Sequence, residues 1–258
     1  FFRRAFELDP SNVLALYCAR EIYQSLGNFE TAAKLLDLEA RAEPDGERRI
    51  ALYRELGHAR SEQLGDIEGA VVALKRALAL DPSNMDVMGE LALLLLRRAP
   101  LGGGDMDRQR AADLLYQVAS TAGGETALGY CEAALDAWPE HEASLGLFEG
   151  ICRETQRLDL LADRYQRLLG PLAESPNLAD LYRRIGNLAL ERGDLDEAIG
   201  YYQALEPLGI PEDHEILIDL LRRANREDDL ADALASDLGA PPGESSGEPD
   251  LLDPEALP

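Results

Sequence analysis

Apolar residues recur at intervals of three and four along most of the chain, and no stretch alternates apolar and polar residues with the period of two that a half-buried strand would show. Residues 64–84, LGDIEGAVVALKRALALDPSN, carry the pattern most clearly. Gly65-Asp66 makes a turn with Asp66 as N-cap, Ala70, Leu74 and Ala77 follow on one helical face, and Asp81-Pro82 ends the helix. Two small residues flanking a leucine suit a helix crossed closely by a neighbour, so this face needs a partner helix. The same wording begins the chain: residues 2–12, FRRAFELDPSN, match residues 74–84, with Phe2 and Ala5 in the places of Leu74 and Ala77. The sequence therefore reads as starting part way through a repeat, as a piece of something longer in which Phe1 and Phe2 lack their cover.

A complete unit of 34 residues follows at 13–46, with Tyr23 late in a first helix, Gly27-Asn28 in the turn, Ala32 in a second helix and Pro44 after it. Further units read at 51–84 and 179–212. Residues 85–178 are degenerate. Residues 85–98 begin in phase as a first helix and run into the glycines of APLGGGDMD, which break it. The helix at 108–120 is either the mate of 85–98 across a long loop or the start of a new unit closing at Pro139. The second reading is the preferred one: it places Ala127, Cys131 and Ala134 on a second helix, opens the next unit at Glu142, and leaves 85–98 an unpaired helix. Lost register and the glycine run make residues 85–124 the expected weak point of the array. The unit from Glu142 has Phe148, Cys152, Leu161, Tyr165 and Leu168 at suitable places without the small residues. A terminal pair at 213–238 ends in a short charged helix, as capping helices do. Residues 239–258, with five prolines, three glycines and no basic residue, read as an acidic disordered tail or linker.

Taken together, these units resemble the tetratricopeptide repeat, a helix-turn-helix of 34 residues. That pattern has Gly or Ala and then an aromatic in the first helix, Gly-Asp or Gly-Asn at the turn, two alanines in the second helix, and a closing proline. Tyr23, Gly27, Ala32 and Pro44 match in the first unit, Gly65, Ala70, Leu74, Ala77 and Pro82 in the second, and Gly186, Ala189, Gly193, Ala198 and Tyr202 in the third. The departures are Arg20 and Glu39 for small residues in the first unit, His58 and Ser61 in the second, and Leu205 in the third. The resemblance implies an all-α fold, an α-solenoid (right-handed superhelix) of antiparallel helix pairs over residues 1–238. It also implies a protein-protein interaction scaffold that binds a peptide or protein segment in the groove lined by the first helices. A structural spacer or self-assembly module without a dedicated peptide ligand is the alternative. The family's groove places correspond here to Tyr17, Glu21, Glu55, Glu62, Arg153, Arg183 and Asn187. Arg183 and Asn187 resemble the start of a carboxylate clamp, whose continuation is interrupted by Ile218 where a second Asn would stand.

Charge narrows the partners. A formal net charge of −24 repels phosphate backbones, so nucleic acid is not expected to bind. Residues 151–192 escape this acidity, with seven basic and six acidic side chains, and so read as a place where an acidic segment docks, the candidates being another protein or the chain's own tail around Asp250 to Glu255. No apolar stretch is long enough to insert into a membrane, and the expected location is cytoplasmic. Cys18, Cys131 and Cys152 are odd in number and widely spaced within apolar helical patterns, and read as reduced, buried thiols. His141-Glu142 and His214-Glu215 each start like a zinc-protease helix but lack the second His, and the cap-and-dipole reading accounts for them. Gly102-Gly103-Gly104 lacks the Gly-Lys-Ser/Thr of a phosphate loop, and Asp105 with Asp107 lacks the remaining oxygens of a calcium loop. His58 reads as a partly buried packing residue. No cofactor, metal or enzymatic activity is expected.

Overall fold

The computed structural model describes residues 12–237, and the expectations for residues 1–11 and for the tail at 239–258 lie outside the described residues. The chain is helical, with no strand among the described residues, and its contacts divide it into two compact units, the first ending in sequence at Arg157 and the second beginning at Leu158.

Unit 1 contains α1 (Val13–Ser25), α2 (Phe29–Ala42), α3 (Gly46–His58), α4 (Ile67–Leu80), α5 (Met85–Arg98), α6 (Gly104–Ala122), α7 (Gly124–Ala137) and α8 (Glu142–Glu154). Each helix packs on its sequence neighbours, the order expected of a solenoid. The turns explain the repeating signature. Gly27 and Gly65 take φ near +71° and +65°, and the next residue, Asn28 or Asp66, caps the following helix by accepting the backbone N–H three residues on, at 3.1 and 2.8 Å. A side chain at either glycine would be strained. Across these turns Ala33, Leu36 and Ala40 of α2, Leu52 and Leu56 of α3, and Ala70, Ala73, Leu74 and Ala77 of α4 form one core with α5 and α6.

The first unit's two departures from the repeat pattern are partners. Arg20 donates through Nε to Glu39 Oε2 at 2.9 Å, with side chains 6% and 1% exposed, and through Nη1 to Glu55 at 2.5 Å. Where the pattern has small residues, a charged pair fills the space between α1 and α2. Burial raises the Glu39 carboxyl above its ordinary range although Arg20 pulls the other way, so desolvation outweighs the attraction.

The helix at 85–98 is not unpaired. α5 packs along α6 as well as α4, and Val87, Met88, Leu91, Ala92, Leu94 and Leu95 join Ala111, Ala112, Leu114, Leu115 and Val118 in the unit 1 core. The glycine run does break the helix, yet a single 3₁₀ turn at Ala99–Leu101 leads into α6, and Arg98 ties the two helices together. Its guanidinium donates to both Asp107 oxygens at 2.7 and 2.6 Å and to Glu68 at 2.7 Å. The bidentate bond holds the buried Asp107 carboxyl below its usual range. The expected weak point of the array is thus packed and stapled.

Unit 2 contains α9 (Leu158–Leu169), α10 (Leu178–Arg192), α11 (Leu195–Leu205), α12 (Pro211–Arg223) and α13 (Glu227–Asp237), each packed on the next. Gly193-Asp194 repeats the turn, with Asp194 accepting from Glu197 N at 3.0 Å. At the α10–α11 crossing a Cβ on Gly186 would stand 2.8 Å from the Tyr202 ring, so only glycine allows the approach. Asn225 keeps the left-handed turn residue, φ +55°, without a glycine.

Two outcomes test this packing. Arg20→Ala should destabilise the protein by about 3–5 kcal/mol at neutral pH, because it strands a buried carboxylate. The loss should shrink as pH falls and Glu39 protonates. Arg20→Met with Glu39→Leu should stay within about 1–2 kcal/mol of the parent in urea unfolding. Asp107 has a depressed folded-state pKa, so its contribution is present above the unfolded value, about pH 3.9, and is lost as pH falls through the folded one. Asp107→Asn should therefore lower the melting temperature at pH 7, and the difference from the parent should narrow as the pH is taken below the unfolded value.

Candidate functional site

One cleft in unit 1 follows from a single extra residue. In the unit at 51–84 the repeat spacing puts His58 at the close crossing between first and second helix, where a small residue belongs. The backbone resolves the conflict by widening. After α3 the residues Ala59–Gln63 form a π-helical turn, which takes up one residue more than an α-turn. Gly57 thereby reaches the crossing, where a Cβ would stand 3.1 Å from Leu74 Cδ2. His58 swings out with its side chain 61% exposed, contrary to the packing role its position suggests. Ser61 still turns inward, and its buried hydroxyl donates to the His58 carbonyl at 3.2 Å. Asp66 N–H closes the turn on Arg60 O at 2.8 Å.

Against this turn stands α5, which presents Glu90, Leu93, Leu94 and Arg97 at i, i+3, i+4 and i+7. Between them lies a cleft of about 500 Å³. Gly57, Leu74 and Leu94 make its apolar floor, and Leu93 stands on its rim 62% exposed. Ion pairs close both ends. Arg54 donates to Glu90 at 2.5 Å and lies 3.7 Å from Asp86, while His58 Nε2 is 3.6 Å from Glu90. At the other end Arg97 donates to Glu62 at 2.7 Å, holding that carboxyl below its ordinary range. The arrangement offers an apolar seat between two acidic shoulders.

Of the residues named from the sequence, Glu62 lines this cleft. Tyr17, Glu21 and Glu55 gather instead around Arg20, whose guanidinium lies 5.2 Å over the Tyr17 ring, 3.5 Å from Glu21 and 2.5 Å from Glu55. Arg153, in unit 1, pairs with Glu149 one turn back at 3.4 Å. Arg183 and Asn187 belong to unit 2 and are engaged within it. Arg183 grips the buried Asp213 with two parallel bonds of 2.8 Å, and Asn187 Oδ1 accepts from the Tyr202 hydroxyl at 2.9 Å. Asp213 thus occupies the position an incoming carboxylate would take on Arg183. Ile218 is buried in the unit 2 core. Sequence reasoning missed Glu90, Leu93, Leu94 and Arg97. Their signal was present in the helical spacing of 85–98, but that helix was read as unpaired.

Burial pushes the Cys131 thiol up to about 11 and raises Cys152 as well, which disfavours the nucleophilic thiolate. Among the described residues no helix is long and apolar enough to cross a membrane.

The family model described as tetratricopeptide repeat matches residues 51–84, the unit that forms one wall of the cleft. No curated protein matches the sequence. Among solved structures, a tetratricopeptide repeat protein from Parabacteroides merdae aligns with 86% of this chain and 88% of its own, at 16% identity and a TM-score of 0.40. YrrB, described as a TPR protein with an unusual peptide-binding site, aligns with 57% of this chain and 79% of its own at 23% identity and 0.32. PilF of Pseudomonas aeruginosa aligns with 75% and 93% at 18% and 0.35. Likenesses at this level carry no weight for function. Over residues 51–84, with the Gly-Asp turn and the Gly57–Leu74 crossing they contain, the chain is similar to a tetratricopeptide repeat.

Proposed function

We infer that the chain is a protein-protein interaction scaffold whose unit 1 cleft receives a segment of a partner protein. The observation that carries this reading is Leu93, held 62% exposed at the lip of an apolar cleft between the first helices of successive helix pairs. A lone exposed leucine would need no explanation, but one set over a concave apolar floor with polar ends has the make-up of a binding site, and about 500 Å³ lies within the usual range for such sites. The partner is protein rather than nucleic acid because of the −24 charge. A spacer without a ligand is the competing reading, and it leaves the exposure of Leu93 without a purpose.

Selection of random twelve-residue peptides on the full chain, followed by fluorescence anisotropy of the selected peptides, tests the inference. Leu93→Glu should weaken them about 10- to 100-fold, since seating a leucine-sized apolar surface is worth about 1.5–3 kcal/mol. Far-ultraviolet circular dichroism of the variant should be unchanged. Binders indifferent to Leu93→Glu would move the site elsewhere, and a selection that yields none would favour the spacer.

A further inference from the structure

The surroundings of the cleft carry more acid than base, and that excess points to the chemistry of its occupant. Both arginines at its ends already donate to carboxylates of the protein, Arg97 to Glu62 and Arg54 to Glu90 with Asp86 beside it. An ionised carboxylate has acceptor sites for several donors, so these acids can bond an incoming cation without giving up their arginines. Glu62, which accepts from Arg97 through Oε1, and Glu90, which accepts from Arg54 through both oxygens, each keep acceptor capacity for a further donor. Three acids stand against two arginines around the cleft, and residues 12–157 carry 24 acidic and 15 basic side chains, so the field of the unit also draws cations. The acidic tail at 239–258 is repelled for the same reason, which removes it as an occupant here.

Resting on the reading of the cleft as a binding site, we propose that its ligand is a cationic peptide segment. An aliphatic or aromatic side chain lies over Leu74 and Leu94 beneath Leu93, and a lysine or arginine within about a helical turn of it bonds Glu62 or Glu90. The apolar side chain supplies most of the affinity. The charges supply selection, because a solvated pair contributes only a few-fold in affinity.

The peptides selected on the full chain provide the probe. Enriched sequences should carry Lys or Arg within four positions of Leu, Ile, Met, Phe or Trp. With one such peptide, Glu62→Gln combined with Glu90→Gln should weaken binding about 5- to 10-fold and flatten its dependence on sodium chloride between 50 and 500 mM. A control peptide with its cations replaced by glutamine should bind the parent and the double variant equally, which separates lost charge from a disturbed cleft. If the enriched peptides are acidic or uncharged, or if the double variant binds the cationic peptide unchanged while Leu93→Glu still abolishes binding, the charge proposal is overturned and the cleft reading stands. If Leu93→Glu has no effect, both fall.

Discussion

Two helices that share a narrow core must bring their backbones close, and a repeat built from Leu and Ala meets that demand by keeping a small residue where the helices cross. Gly186 against Tyr202 in unit 2 and Gly57 against Leu74 in unit 1 are the places where the constraint is visible as distance. Such a crossing anchors α3–α4 and α10–α11, and in these pairs and in α1–α2 a Gly-Asn or Gly-Asp turn reverses the chain and caps the next helix. Since every helix touches mainly its neighbours, the constraint acts unit by unit, and each unit can solve it differently.

The departures from the small-residue rule are where this chain acquires its character. At α1 and α2 the solution is electrostatic, with Arg20 and Glu39 burying their charges against one another and Glu55 satisfying the outer edge of the guanidinium. At α3 the solution is geometric. His58 stands outside the crossing, one residue is taken up in a π-turn, Gly57 meets Leu74, and a cleft lies between this wall and α5. The first solution consumes three of the polar residues that groove position would have assigned to a ligand. Beside the second lies a cleft that, of the named groove positions, Glu62 alone lines.

Much of the fold was legible in the sequence because it is set by local rules. The 3.6-residue spacing, the Gly65-Asp66 and Gly27-Asn28 turns, and Asn84 capping α5 each depend on neighbours in the chain. What was not legible depends on partners far along it. Nothing near Arg20 announces Glu39 nineteen residues away, and nothing near Arg183 announces Asp213 thirty residues away, so Arg20 reads only as a departure from the repeat pattern and Arg183 as a groove residue. Residues 85–98 read as unpaired because the glycines after them suggest a loose loop, whereas the Arg98–Asp107 bond closes that loop tightly. The π-turn escaped for a different reason. It leaves a one-residue mismatch between His58 and the repeat pattern, and that mismatch was explained as a packing histidine rather than as an inserted residue.

The dependence of the cleft on that inserted residue can be measured directly by deleting Ala59 and titrating a selected peptide by isothermal calorimetry. With one residue fewer, α3 can continue as an unbroken α-helix to the Gly65 turn, keeping Gly57 against Leu74. The expected result is a protein with parental helicity and cooperative melting whose affinity for the peptide has fallen at least about 10-fold. Parental affinity in a deletion variant that has lost the π-turn would contradict the claim that this turn makes the site.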